Sequence, residues 1–218
     1  MKPIQTPQKA VQDIPDGSTI MVGGFMHCGH PFALIDALLL QGAKNLTLIV
    51  NDMGFPGKGI GKLLEAGRIR KIIATHIGLN PLVAEKWHAG EIEVELIPQG
   101  TLAERCRAQG AGLGGILTPT GMNTEVEDGK QKVLVDGKEY LLEKPLHADY
   151  AFVVADVADR FGNAIISKSR KNCNIVMAMA ADNTILETRR IVDVGGIDPD
   201  MAHLCGVFVQ SMTEANQC

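Results

Sequence analysis

The sequence lacks the features typical of nucleic-acid-binding and membrane proteins. Its 218 residues contain no cluster of lysine or arginine, and the formal net charge is −4. Nucleic acids and anionic membranes attract concentrated positive charge, so both are poor candidate partners. No apolar run approaches the roughly 18 residues of a membrane span. The N-terminal segment MKPIQTPQKAVQDIPDG also lacks the apolar core of a signal peptide.

Closely spaced cysteines are missing too. The five cysteines are odd in number, stand far apart and form no Cys-x-x-Cys pair. This pattern is typical of free thiols in a reducing compartment, so we expect a cytoplasmic protein. The five are Cys28, Cys106, Cys173, Cys205 and Cys218.

What the chain does contain favours a packed α/β core. Hydrophobic residues make up 45% and charged residues 21%, which suits one domain over residues 1–218. Strand and helix patterns alternate, and this order predicts a three-layer α/β/α fold with a mainly parallel sheet. The predicted strands of the first half are Ser18–Val22, Leu46–Val50, Lys71–Ala74 and Ile92–Ile97. The predicted helices between them are Pro31–Gln41, Gly61–Ala66 and Pro81–Ala89.

The middle of the chain interrupts this alternation. The glycine-rich segment Ala108–Gly121 predicts an ordered loop, and Lys132–Val135 and Glu139–Leu142 flank an Asp-Gly hairpin turn. We therefore expect a small β insertion over about residues 108–145. The α/β alternation returns at Ala151–Ala155, Ile175–Ala180 and Thr184–Leu186, and Val207–Val209 is predicted as a final strand.

The strongest local pattern is Asp16–Pro31, DGSTIMVGGFMHCGHP. A buried strand ends in Gly23-Gly24, and a helix begins near Pro31. Ligands of open parallel sheets bind at the carboxyl ends of strands, where adjacent glycines free backbone N–H groups for an anion. From spacing alone, glycines that serve only packing are an equally good interpretation. The dinucleotide fingerprint G-x-G-x-x-G is absent from this segment.

This segment resembles the signature of the family I CoA-transferases. The signature reads Asp or Asn, Gly, two free positions, three aliphatic residues, Gly-Gly-Phe, three free positions, Gly, one free position and Pro. Its fixed places are filled by Asp16, Gly17, Ile20, Met21, Val22, Gly23, Gly24, Phe25, Gly29 and Pro31. The resemblance continues through Asn51, Gly57–Gly61, His76–Gly78, Pro98–Arg105, Gly110–Gly121, Tyr140–Glu143 and Met177–Ala181. Within the family, the sequence most resembles the acetate/acetoacetate and butyrate–acetoacetate type.

The resemblance implies a covalent reaction. In the family, a glutamate attacks an acyl-CoA such as acetyl-, butyryl- or succinyl-CoA, and a mixed anhydride and free CoA thiolate form. The thiolate then gives a glutamyl-CoA thioester, from which a short-chain acid or a 3-oxoacid such as acetoacetate takes the CoA. CoA is a substrate, and the reaction needs no cofactor and no metal.

The resemblance also implies the site residues. Each attack generates an oxyanion, and the glutamine of the family's PQGT segment helps to hold it; Gln99 matches that glutamine. Without the resemblance, a solvated turn glutamine would be the better interpretation. The remaining candidates for CoA and substrate binding are Gly23, Gly24, Phe25, Met26, His27, Cys28, Gly29, Asn51 and His76. His76 could equally face the site or end a strand.

The nucleophile of the family is absent from this chain. The family's glutamate stands in a Ser-Glu-Asn-Gly context, and none of the twelve glutamates here is followed by asparagine. The resemblance therefore implies an α subunit that works with a β subunit carrying the glutamate, in a mixed oligomer such as α2β2. Glu104 lies in the matching segment, yet beside Arg105 on a predicted helix it is interpreted as structural.

Two groups of alternatives remain. His27, Cys28 and His30 lie close together, but ligands so near in sequence rarely converge on one ion, so no metal site is expected. Cys28 as a nucleophile would need a base held by a third group. A small-molecule sensor of the same sheet architecture would normally carry a DNA-binding region, for which 218 residues leave no room. An isomerase would need an acid or base poised for proton transfer, and the segment Gly23–His30 contains no Asp or Glu.

Overall fold

The computed structural model describes residues 1–215, so Cys218 lies outside the described residues. The α-helices are α1 Pro7–Val11, α2 Phe32–Gln41, α3 Gly61–Glu65, α4 Pro81–His88, α5 Gln99–Gly110 and α6 Asn174–Met179. The strands before the insertion are β1 Thr19–Val22, β2 Leu46–Val50, β3 Ile69–Ala74 and β4 Glu93–Leu96. The later strands are β5 Ile116–Thr118, β6 Lys132–Val135, β7 Lys138–Glu143, β8 Ala148–Ala155, β9 Val157–Asp159, β10 Ala164–Ile165, β11 Ala181–Thr188, β12 Ile191–Val192 and β13 Ser211–Glu214.

The central sheet has seven strands in the order β13-β11-β8-β1-β2-β3-β4. Every pair in it is parallel, as the alternating pattern predicted. From β1 the chain first builds outward through β2, β3 and β4, and it then crosses back to add β8, β11 and β13. The order therefore reverses between β1 and β8, and such a switch point opens a crevice at the carboxyl edge of the sheet.

Helices cover both faces of the sheet. Along β1, Ile20 and Val22 pack into one apolar cluster with side chains of α1 to α4, while Met21 packs into a second cluster with α5 and α6. This alternation is the expected period of two for a strand buried on both sides. Each fully buried Ile or Leu side chain stabilises the fold by about 1.5–3 kcal/mol. The predicted three-layer α/β/α architecture is confirmed.

The insertion is a three-stranded antiparallel sheet in the order β5-β7-β6. The predicted hairpin over β6 and β7 is confirmed, with Val135 paired to Lys138. The glycine-rich segment is less irregular than predicted, because α5 continues to Gly110 and β5 lies inside it. A buried carboxylate holds the insertion in place: Glu143 is paired with Lys130 at 2.5 Å and Arg105 at 3.8 Å.

One predicted strand is wrong. Val207–Val209 does not pair with the sheet, and a 3-10 helix over Gly206–Phe208 occupies this position. A Cβ on Gly206 would lie 2.1 Å from the carbonyl oxygen of Phe161, so the backbone here packs closely against that segment, and of Val207–Val209 only Val209 is buried. The closing strand is β13, which begins at Ser211. A second small sheet, β10-β9-β12, was not predicted because its strands are too short to show a period.

No helix within residues 1–215 is both long and apolar enough to cross a bilayer.

Candidate functional site

Loops from neighbouring strands meet at the carboxyl edge of the sheet, as predicted. The loop of residues 23–30, here called the glycine loop, follows β1 at the switch point. Asn51 and Asp52 follow β2, His76 lies just after β3, and Gln99 begins α5 shortly after β4. Because all these strands are parallel and adjacent, residues that are far apart in sequence lie at one edge.

The glycine loop is a tight turn closed on itself. Phe25 and Cys28 exchange two backbone hydrogen bonds, of 3.0 and 2.9 Å. Gly24 has a φ of 126°, a conformation open almost only to glycine, and a Cβ there would lie 1.9 Å from Cδ2 of His30. A Cβ on Gly23 would lie 2.0 Å from Oδ1 of Asn174. Both glycines therefore allow protein side chains to pack against the loop.

Asn174 ties the glycine loop to the other half of the sheet. It is fully buried. Its Oδ1 accepts from the N–H of Val154 at 2.9 Å, and its Nδ2 donates to the carbonyls of Gly29 at 3.2 Å and Arg170 at 2.9 Å. The sequence analysis did not single out Asn174. The one available signal was a polar residue at the start of an apolar helix, which alone is too common to be specific.

A chain of hydrogen bonds links the glycine loop to Gln99. The side-chain Nε2 of Gln99 donates to Oδ1 of Asn51 at 2.8 Å, and Nδ2 of Asn51 donates to Oδ2 of Asp52 at 2.8 Å. The same carboxylate accepts from the N–H of Met26 and the N–H of Gly54, both at 2.8 Å. The hydroxyl of Thr75 fixes the backbone at Asn51 by donating to its main-chain carbonyl at 2.8 Å. Asp52, which is 1% exposed, was also missed from sequence.

Two histidines of the glycine loop form an aromatic cluster. The rings of His27 and His30 lie 5.7 Å apart edge to face, and His27 also contacts the ring of Phe55 at 5.0 Å. Burial lowers the pKa of His30 from 6.5 to about 4, despite the nearby carboxylate of Asp52. Burial and then the charge of Lys58 lower the pKa of His27 as well. Both imidazoles are therefore neutral near pH 7.

The remaining predicted residues lie on the rim. Phe25 and Met26 expose 39% and 38% of their surface, and the ring of His76 lies 6.5 Å from that of Phe25. Cys28 is exposed, and its Sγ lies 3.1 Å from Oγ of Ser169. Within the described range 1–215, no three His, Cys, Asp or Glu side chains are arranged to hold a metal ion.

The position of Glu104 agrees with its structural interpretation. It lies on the exposed side of α5, where its carboxylate pairs with Nε of Arg107 at 2.7 Å. The carboxylate of Asp52 is buried and fully engaged with N–H donors. What this edge offers is therefore the neutral side-chain amide of Gln99 beside a tight glycine turn, and a neutral amide donor suits a developing oxyanion.

Fold and site thus define a doubly wound α/β protein with a donor-lined sheet edge suited to carbonyl chemistry. The family model for coenzyme A transferase matches residues 4–215. The chain is 50% identical over 197 residues to the acetate CoA-transferase subunit alpha of Escherichia coli K12, with 90% of each chain covered. It is 47% identical over 194 residues to the acetoacetyl-CoA:acetate/butyrate CoA transferase alpha subunit of Clostridium acetobutylicum, with 89% of each covered.

A solved structure has the same fold. An acyl-CoA transferase from E. coli O157:H7, in a thioester complex with CoA, matches all of this chain with a TM-score of 0.85 at 24% identity. The matched region is 48% of that longer polypeptide, so this chain spans about half of its length.

The chain belongs to the coenzyme A transferase family, and it is an α subunit of the family I type, as the signature predicted. The alternatives of a sensor or an isomerase with the same sheet are not favoured, because the relatives that match along nine-tenths of their length are CoA-transferase subunits.

Proposed function

We propose that this α subunit helps to move CoA between an acyl-CoA and a short-chain acid or 3-oxoacid. Acetyl-, butyryl- and succinyl-CoA are the proposed donors, and acetoacetate is a proposed partner acid. The names of the two relatives, which refer to acetate, butyrate and acetoacetyl-CoA, support this substrate class. CoA is a substrate in this proposal, and neither a cofactor nor a metal takes part.

One observation carries the proposal: the amide of Gln99 is held at the sheet edge by Asn51. An amide nitrogen has two hydrogens, and the contact of 2.8 Å with Asn51 uses one of them. The second hydrogen is available to an oxyanion on the thioester carbon. Within the described residues, the N–H groups of Gly24 and Gly29 also have no acceptor, and they provide further donors for CoA or the acyl group.

The attacking carboxylate comes, in this proposal, from a β subunit in an α2β2 assembly. It adds to the acyl carbon, and the C–S bond of this adduct then breaks, which releases CoA as a thiolate and leaves an acyl-glutamyl anhydride. The thiolate then attacks the glutamyl carbonyl and releases the free acid. The exposed side chains of Phe25, Met26 and Phe55 would form the wall that this chain contributes to the shared pocket.

The cytoplasm is the proposed location. Its support is that Cys28, Cys106, Cys173 and Cys205 are all free thiols, a state that a reducing compartment maintains.

The division of labour is tested by reconstitution. The purified chain alone should transfer no CoA from acetyl-CoA to acetoacetate. Activity should appear when a β chain with a Ser-Glu-Asn-Gly motif is added. Sustained turnover by the isolated chain would show that the nucleophile is not on a partner.

The role of Gln99 is tested in the reconstituted enzyme. Gln99→Ala should lower kcat roughly 10- to 1,000-fold, the scale of one lost oxyanion donor, while the KM for acyl-CoA changes little. Gln109→Ala, a second glutamine on the same helix and away from the edge, is the matched control. A Gln99→Ala enzyme with the same kcat as the Gln109→Ala enzyme would remove Gln99 from the mechanism.

A further inference from the structure

The carboxylate of Asp52 joins the glycine loop to the segment of residues 51–54. Its Oδ2 accepts from the N–H of Met26 and from Nδ2 of Asn51, and its Oδ1 accepts from the N–H of Gly54, each at 2.8 Å. Met26 lies 26 residues away in the chain and is in the left-handed region, with a φ of 56°. A non-glycine residue adopts this conformation only where its surroundings hold it.

We propose that Asp52 is a positioning residue for the oxyanion donor Gln99, acting through Asn51. The inference rests on the proposed function, because it assigns to Asp52 the task of orienting the group that the proposed mechanism uses. The same carboxylate holds the glycine loop at Met26, so one side chain sets the distance between the loop and the Gln99 amide.

The argument depends on the direction of the hydrogen bonds. A carboxylate only accepts, so Asn51 must turn its NH2 group toward Asp52. The side-chain oxygen of Asn51 then faces Gln99. An oxygen cannot donate, so of the two ends of the Gln99 amide it can pair only with the NH2 group. Gln99 is exposed and has no other fixed partner among the described side chains. The orientation of the Gln99 amide is therefore set at the other end of this series of hydrogen bonds, by the carboxylate of Asp52, which cannot become a donor.

Replacing Asp52 with alanine removes this acceptor. The N–H groups of Met26 and Gly54 and the NH2 group of Asn51 then lose their shared partner. Asparagine is a weaker test, because its oxygen can still accept from Met26 and Asn51 while its NH2 group faces only the N–H of Gly54. Without the carboxylate, Asn51 is free to turn over, and its NH2 group then meets Gln99, which must turn over as well. The donor that faces the thioester oxygen is then replaced by an acceptor.

Asp159 provides a matched control for this geometry. It is 5% exposed, and its carboxylate accepts from the N–H groups of Phe161 and Asn163 at 2.8 and 3.0 Å and from Nδ2 of Asn163 at 2.9 Å. Both aspartates are thus buried acceptors of two backbone donors and one asparagine amide. Only Asp52 is connected to Gln99.

The experiment is a double-mutant cycle in the α chain reconstituted with its β subunit. We expect Asp52→Ala to lower kcat about 10-fold or more, with the KM for acetyl-CoA within about two-fold of wild type. The double variant of Asp52→Ala with Gln99→Ala should be no slower than Gln99→Ala alone. Asp159→Ala should lower the thermal midpoint and leave kcat unchanged.

The possible outcomes separate the two proposals. If Gln99→Ala lowers kcat and the loss from Asp52→Ala multiplies with it, Asp52 does not act through Gln99 and only this inference fails. An unchanged kcat in Asp52→Ala has the same consequence. If Gln99→Ala itself has no effect, the proposed role of Gln99 fails, and the inference fails with it.

A second variant covers the case in which Asp52→Ala does not fold. Asn51→Ala leaves the two contacts of Asp52 with backbone N–H groups intact. It removes only the side-chain amide through which Asp52 acts on Gln99. In the same cycle, a double variant no slower than Gln99→Ala supports the inference. Losses that multiply overturn it.

Discussion

The buried imidazole of His30 should make the stability of this chain depend on pH. The side chain is 2% exposed, and its Nδ1 has no hydrogen-bond partner among residues 1–215. Burial lowers its pKa from 6.5 to about 4. The unfolded chain therefore takes up a proton at a higher pH than the folded chain, and stability is lost as the pH falls from the unfolded pKa toward the folded one.

The size of the effect follows from the two pKa values. Between about pH 8 and about pH 5, a shift of this size removes about 2 kcal/mol from the free energy of unfolding. Most carboxylates stay ionised over this range, so they contribute little. The lowered pKa of His27 acts in the same direction. Urea unfolding of the chain at several pH values measures the loss.

The comparison variant is His30→Leu, which replaces the imidazole with a side chain that cannot titrate. Between about pH 8 and about pH 5, the free energy of unfolding should fall less in His30→Leu than in wild type. The difference between the two falls should be about 2 kcal/mol, whatever the absolute stability of the variant. His88→Gln, at the exposed end of α4, should keep the wild-type pH dependence. Equal pH dependence in wild type and His30→Leu would refute the reasoning, because the buried imidazole would then take up its proton without cost.

Two further predictions concern the packing of the site and the thiols. Gly24→Ala should destabilise the chain by at least about 2 kcal/mol, because a Cβ there would meet the ring of His30 and the φ of 126° is unfavourable to alanine. Gly78→Ala, with nothing within 4 Å of its Cβ, should change the thermal midpoint little, and equal midpoints for the two variants would contradict the contact. Iodoacetamide should modify the exposed Cys28 in the native protein but not Cys106, because burial raises the pKa of Cys106 to about 12. Mass spectrometry of the peptides reads this out, and rapid native labelling of Cys106 would contradict its burial.

The elements of the first half could be predicted from sequence because their patterns are local. The apolar run of Leu46–Val50 is buried at every position, as expected of a central parallel strand. The helix over Phe32–Gln41 ends at Gly42, whose φ of 98° is the left-handed cap that glycine provides. Val207–Val209 shows the limit of such patterns, because three apolar residues do not specify whether a partner strand is within reach.

The sequence also determined the family and the edge of the sheet where the site lies. The signature over Asp16–Pro31 is long enough to be specific, and the rule for carboxyl ends of parallel strands directed attention to the loops that follow the predicted strands. The sequence by itself also determined that the family's nucleophilic motif is not in this chain, since that requires only reading its glutamates.

Only the tertiary structure decided which side chains hold the site together. Asp52 meets Met26, and Asn174 meets Gly29 across 145 residues, because β1 lies between β2 and β8 in the sheet. Strand order depends on the summed burial of all the helices and strands, so no local pattern contains it. The burial that lowers the pKa of His30 likewise exists only once the loop is packed, which is why the neutral state of this imidazole could not be predicted from its neighbours in sequence.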